Sequence, residues 1–281
     1  SWGLSTQLWR PNVSKDLSEL WHPASPEDVL TVFVEVGKTG STTVKGTMHK
    51  AVELRGNVYC IINLQRLAVE RGVVPQVCYG SAMIFGASFG DCTVLAPGRR
   101  CQYLTTLREP GNRTVSEYNY FCRNCANTTG CRDKCCSMNP PCPNISFLEW
   151  ARNHAESFTQ HFAPPAWPPT RKWTKSESGR RSSFFYQYTH GFPARPRVNG
   201  TDYERALHVL SGDGPVPMLA IKLEQLDVDG WERIEKFLAS PGLRLRSVAE
   251  KVNEHSSDEN NYQPTAHEMA EVREGIDAYD E

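Results

Sequence analysis

Apolar residues cluster in short, β-branched runs separated by longer mixed segments. Thr31–Val36 (TVFVEV) ends at Gly37 and predicts a buried strand. Gln102–Leu107 (QYLTTL) predicts a second strand and Met218–Leu223 (MLAIKL) a third. Helices are predicted over Ser41–Arg55, Asn112–Cys122, Phe147–His161, Tyr203–Leu210 and Gly230–Ala239, with helical character again from Ala266 to Tyr279. Asn57–Arg71 reads as a strand followed by a helix, and Met83–Leu95 is apolar and punctuated by glycine. Strands that alternate with helices predict an α/β fold, a parallel sheet flanked by helices on both faces. There is no internal repeat.

The remaining segments divide the chain. Residues 1–28 are polar, contain Trp and Pro, and read as an extended lead-in. Residues 29–281 read as one domain interrupted by a cysteine-rich insertion at about 122–143, where Pro140, Pro141 and Pro143 break any regular element. Ala163–Pro169 is a stiff connector. Arg171–Arg181 is basic and serine-rich, either a solvated loop or a surface for an anionic glycan.

The chain has 281 residues, 39% hydrophobic, enough for a sizeable core. Its formal net charge of -1 provides no global field, so nucleic acid is not an expected partner. No stretch matches the roughly 18–20 apolar residues of a membrane span. The opening Ser1-Trp2-Gly3 reads as a mature or trimmed product, with a membrane anchor possible outside this chain. Oligomeric state is not legible.

Cysteines change the expected compartment. There are 10, and Cys122, Cys125, Cys131, Cys135, Cys136 and Cys142 crowd the insertion. Asn-x-Ser/Thr acceptors stand at Asn12, Asn112, Asn127, Asn144 and Asn199. Together they favour an oxidising lumen, in the Golgi or beyond it as a secreted glycoprotein. Cys122-x-x-Cys125 and Cys131-x-x-x-Cys135 also have zinc-like spacing, but six cysteines beside sequons fit disulfides better. Cys60, Cys78, Cys92 and Cys101 either form two more bridges or stay buried as thiols.

The sharpest chemical signal is Val36-Gly37-Lys38-Thr39-Gly40-Ser41-Thr42-Thr43. A strand ends, glycines permit a tight turn, and a helix begins. Backbone amides at such a turn converge on an anion, and Lys38 adds a mobile positive charge. The hydroxyls of Thr39, Ser41, Thr42 and Thr43 add donors. A nucleotide-triphosphatase loop (G-x-x-x-x-G-K-[ST]) would need glycine at position 32, which is Val32. That mismatch, and the absence of an evident acidic strand end for Mg²⁺, argue against a kinase.

Gly37–Thr43 resembles the 5′-phosphosulfate loop of sulfotransferases that use PAPS (3′-phosphoadenosine 5′-phosphosulfate), usually read P-K-T-G-T/S-T. Leu107-Arg108-Glu109-Pro110-Gly111-Asn112-Arg113-Thr114-Val115-Ser116-Glu117-Tyr118 resembles their 3′-phosphate motif, R-D/E-P-x-x-R-x-x-S-x-Y. The two occur in the family's order, each after a predicted strand. The chain is most similar to the Golgi carbohydrate branch, in particular the uronyl 2-O-sulfotransferases. Phe184-Phe185-Tyr186, Thr189-His190-Gly191 and Met218–Leu226 loosely resemble that branch's later segments. The clear resemblance covers roughly residues 30–120.

The resemblance implies a sulfotransferase with a P-loop-like sheet, PAPS as donor, PAP as product, no metal, and a glycan acceptor. Gly37, Lys38, Thr39, Gly40, Ser41, Thr42 and Thr43 would hold the phosphosulfate, with Lys38 on the bridging oxygen. Arg108 and Ser116 would hold the 3′-phosphate, while Arg113 supports the helix or pairs with Glu117. A glycan on Asn112 would block the donor, so that acceptor is expected to be unmodified. Basic residues from Arg244 and Arg246 to Lys251 would close over the adenine.

The attacking hydroxyl needs a general base. In the 2-O branch a His-Gly-His stretch supplies it, whereas this chain reads Cys78-Tyr79-Gly80-Ser81. The remaining candidates are Glu35, His49, His190 and Asp91. Other readings are an acceptor of a different kind, a protein tyrosine or small alcohol, and a catalytically silent subunit that keeps the fold.

Overall fold

The computed structural model describes residues 20–55, 59–63, 77–86, 89, 92, 96, 98–123, 145–153, 162, 200–212, 214, 216–249 and 261–275. Its centre is a five-stranded, wholly parallel sheet of β2 (Val29–Val34), β3 (Cys60–Asn63), β5 (Ala82–Phe85), β6 (Arg100–Leu107) and β7 (Met218–Lys222). The order is β3-β5-β2-β6-β7. Two short strands, β1 (Trp21–His22) and β4 (Cys78–Tyr79), pair in parallel beside it. The end of the expected lead-in therefore belongs to the folded core, with Trp21 buried and its indole N–H on the Gly80 carbonyl at 2.7 Å.

The helices are α1 (Ser41–Arg55), α2 (Pro110–Tyr118), α3 (Phe147–Asn153), α4 (Gly200–Leu210), α5 (Val228–Phe237), α6 (Leu245–Val248) and α7 (Ala266–Gly275). A π-helical turn, Asn119–Arg123, extends α2. Residues 124–144, which hold most of the cysteine-rich insertion, the connector 163–169, the basic loop 171–181 and the segment holding His190 lie outside the described residues.

Alternation along β2 explains the layers. Leu30, Val32 and Val34 face one side, against Ile62, Ile84, Tyr103, Phe162 and Ala206 of α4. Phe33 faces the other, against Met83, Phe85, Leu104 and Ile221, with α1, α5 and α6 above them. Every β2 residue is buried, as a central parallel strand requires. Each fully buried large apolar side chain contributes about 1.5–3 kcal/mol. A third cluster stands apart from the sheet, where α2, α3 and α7 close over Tyr118, Phe147, Trp150 and Val272.

The cysteines outside the insertion are bridged. Cys60 pairs with Cys78 and Cys92 with Cys101, at Cα separations of 5.5 and 5.6 Å. Cys122 is disulfide-bonded as well, which removes it from any zinc site. Among the described residues no helix is long and apolar enough to cross a membrane.

Candidate functional site

In an open parallel sheet the carboxyl ends of the strands face a crevice wherever the chain reverses its direction across the sheet. Here β2 leads leftward to β3 and β5, and the chain then crosses β2 to reach β6 and β7. The reversal point lies between β2 and β6. Both sequence motifs leave the sheet there, one after Val34 and one after Leu107.

The first motif forms a tight turn. Lys38 has φ 60 and Gly40 φ 89, so two residues lie in the left-handed region. For lysine that conformation is uncommon and mildly strained. Gly40 is required twice over: its φ suits glycine, and a Cβ there would collide with the Leu223 side chain. The first α-helical bond closes from the Val44 N–H to the Gly40 carbonyl at 3.1 Å. The amides before Val44 have no intrahelical acceptor, and the first turn of α1 carries no acid. The positive end of the helix dipole is thus open to an anion.

Side chains in the turn divide between structure and solvent. The Thr39 hydroxyl is fully buried, donating to the Val36 carbonyl at 2.9 Å and lying 3.0 Å from the Thr106 hydroxyl. It locks the turn onto β6, so this hydroxyl donates within the chain and is not the outward donor the sequence suggests. Ser41 and Thr43 are half-buried and Thr42 exposed. Val32, where a nucleotide-triphosphatase loop would need glycine, lies in mid-strand, in register with Ile84 and Tyr103. No long loop can form there.

The second motif meets the first. The Arg108 guanidinium lies 3.4 Å from the Lys38 carbonyl, a long contact that still joins the two segments. Burial pulls the Arg108 pKa below its usual range, while Glu224 and Glu109 oppose that shift. Glu109 caps α2 by accepting the Asn112 N–H at 2.7 Å, and Pro110 occupies the first turn, where no N–H is needed. Glu109 also accepts from the Arg273 Nε of α7 at 3.1 Å. Gly111 lets α7 come close: a Cβ there would lie 2.8 Å from the Met269 methyl. Ser116 is half-buried on α2. Arg113 pairs with Glu117 at 2.7 Å, with both side chains buried, so it supports the helix.

Two of the base candidates are described. Glu35 stands between β2 and the turn, both carboxylate oxygens 2.6 Å from the Lys45 ammonium. His49 lies eight residues after Ser41 along α1, about 12 Å up the axis, and its ring stacks on Phe85 at 6.1 Å. Asp91 and His190 lie outside the described residues. The stretch that replaces His-Gly-His, Cys78–Ser81, falls at the opposite edge of the sheet, where the Ser81 hydroxyl accepts the Val29 N–H at 3.2 Å. Val29 is about 16 Å of strand from the turn, so a histidine at that position would not face it. Arg246 is held by Glu232 at 2.7 Å, and Arg244 adopts φ 48; Lys251 is outside the described residues.

Three participants carry no motif signal. Glu224 bears electrostatically on Arg108 from 116 positions away, and Arg273 reaches Glu109 across 164. Tyr120, just past the second motif, carries the Lys38 ammonium 4.0 Å from its ring centroid. An aromatic residue soon after Tyr118 was its one sequence trace. Among the described residues no three His, Cys, Asp or Glu side chains gather as a metal site.

No protein-family model matches the chain. No curated protein matches it at a significant level. Among solved structures the chain is similar to mouse sulfotransferase SULT7A1 complexed with PAP, at 12% identity over 96% of this chain and 70% of that one. The TM-score is 0.37, a likeness that establishes neither family nor activity.

Proposed function

We propose that this chain transfers a sulfuryl group from PAPS to a hydroxyl of a carbohydrate acceptor in the lumen of the secretory pathway. The observation that carries the proposal is the meeting of two anion-binding segments at one crevice, joined through Arg108 and the Lys38 carbonyl. The open amides at Gly40–Thr43 and the Lys38 ammonium suit a 5′-phosphosulfate. The planar fork of Arg108, with the Ser116 hydroxyl, suits the 3′-phosphate.

In the reaction the acceptor oxygen bonds to sulfur as the bond from sulfur to the 5′-phosphate oxygen breaks. The electron pair goes to that phosphate oxygen, giving PAP, and the acceptor proton goes to a base. Catalysis is then mainly positioning and charge stabilisation. Lys38 and the α1 amides stabilise charge on the departing phosphate. Glu35, three residues before Lys38, is the better placed of the two described base candidates. Disulfides at Cys60–Cys78 and Cys92–Cys101 fit an oxidising lumen. The carbohydrate acceptor rests on the sequence resemblance.

Calorimetry with PAP and with ATP tests the donor site. PAP binding that weakens by tenfold or more in Lys38→Ala and Arg108→Ala supports it, and no PAP binding by the wild type sinks it. One observation favours a silent, donor-binding subunit: Glu35 and His49 both have partners. Sulfate transfer from labelled PAPS to a panel of glycans, tyrosine peptides and small alcohols separates these readings. Glu35→Gln that keeps PAP affinity but loses transfer would identify the base.

A further inference from the structure

The α2 helix ends in a π-helical turn, an element that adds a residue and is common at functional sites. Here three consecutive residues at that turn take three different partners. Tyr118 is buried in the third cluster, its hydroxyl donating to the Ile145 carbonyl at 3.0 Å. Asn119 grips the backbone of Tyr262, accepting its N–H at 2.7 Å and donating to its carbonyl at 3.0 Å. Tyr120 packs against the same cluster and also carries the Lys38 ammonium 4.0 Å from its ring centroid. The ring is therefore carried by a backbone pinned at the two residues before it.

Electrostatics give that contact a task. Lys38 and Arg108 belong to the two segments that meet at the same crevice, with the Arg108 guanidinium 3.4 Å from the Lys38 carbonyl. Glu224 and Glu109 bear on Arg108. The Tyr120 ring presents the negative face of its quadrupole to Lys38, an attraction that needs no second anion competing with the donor. A carboxylate in that place would repel the phosphosulfate, whereas a ring does not.

We infer that Tyr120 is a positioning residue for sulfuryl transfer: its ring holds the Lys38 ammonium at the mouth of the glycine turn, ready for the departing phosphate oxygen. This rests on the donor reading given above. Tyr120 acts through Lys38, not on the acceptor, so its loss falls on kcat, costs less PAP affinity than loss of Lys38 itself, and leaves acceptor KM nearly unchanged.

The test uses the full chain. Tyr120→Leu is expected to lower kcat about three- to thirtyfold, with PAP affinity by calorimetry falling less than in Lys38→Ala. Tyr120→Phe, which keeps the ring, recovers most of the loss. Phenylalanines with one, two and three ring fluorines at this position keep the shape and weaken the ring face, so kcat falls stepwise along the series even if Tyr120→Leu does not fold. A flat fluorine series overturns the inference. A rise in acceptor KM at constant kcat also overturns it, because the ring then contacts acceptor. Wild type that binds no PAP removes the donor reading and this inference with it. Wild type that binds PAP with a flat series removes this inference alone.

Discussion

The two edges of the central sheet are built in opposite ways. At the amino edge, polar groups find partners within the chain. Ser25 and Asp28 form a closed turn, with the Ser25 N–H on the Asp28 carboxylate at 2.7 Å. Ser81 accepts from Val29, and Trp21 donates to Gly80. Both disulfides are anchored here, since Cys60, Ala82, Leu30 and Cys101 share one rung of the sheet. At the carboxyl edge, helix α1 starts without an acid, Lys38 and Gly40 adopt left-handed backbone, and the Arg108 guanidinium reaches the Lys38 carbonyl. One edge uses its polar groups for stability, and the other presents the N-terminus of α1 with no acid in its first turn. The difference teaches where to look for chemistry in a fold whose two edges are otherwise alike.

The largest expected effect comes from removing a support of the carboxyl edge. Glu117→Ala leaves Arg113 buried without its partner and should cost about 3–5 kcal/mol, seen as a large fall in thermal midpoint. Replacing both residues by apolar ones of similar volume should restore most of it, and a single variant as stable as wild type would refute the account.

The amino edge should respond to reduction. Opening Cys60–Cys78, which closes a separation of 18 residues, should cost about 3 kcal/mol. Opening Cys92–Cys101, with a separation of 9, should cost somewhat less. Denaturant unfolding with and without reductant measures both. PAP affinity under conditions where the chain stays folded should not move, and a parallel loss of affinity would end the division between the edges.

Gly40→Ala tests the carboxyl edge directly. The new methyl meets Leu223 and the backbone is strained at φ 89, a cost of about 1–3 kcal/mol. The turn relaxes by rotating its amides away, so PAP affinity should fall about 5- to 150-fold. Gly98→Ala, at φ 68 with open space around it, should lower stability without touching affinity.

The smallest effect is a pH dependence. The hydrogen bond from the Tyr262 hydroxyl, helped by Thr265, holds the Glu268 carboxyl below its usual pKa, while the Tyr262 hydroxyl is pushed up to about 12 by burial and by that bond. A depressed carboxyl contributes stability that is fully present above the usual carboxylate range and lost as pH falls through the lower folded value. Limited proteolysis should therefore find α7 less protected below about pH 4.5, and Glu268→Gln should flatten the profile.

How much was legible follows from how local each signal is. Helix α1 has the boundaries expected from the sequence, because glycine at both ends and a proline-free interior act within a few residues. β2, β6 and β7 fall within two residues of the expected runs. The expectation that Arg113 supports its own helix holds because i and i+4 positions share one face. Helix α2 stops sooner than expected, at Tyr118, because the π turn takes over and directs Asn119 and Tyr120 to different partners.

The sequence by itself determined the parallel α/β character, the glycine turn and the position of Arg108 after a strand. Each depends on residues a few places apart. The tertiary structure alone decided the strand order, and with it the crossing between β2 and β6 that brings Arg108 to Lys38 over 70 positions. It decided which cysteines pair, which hydroxyl of the turn is buried, and that Arg273 supports Glu109 across 164. Periodicity and turn chemistry are properties of neighbours along the chain, while these contacts depend on which buried faces pack together. Such packing is a property of the whole sheet.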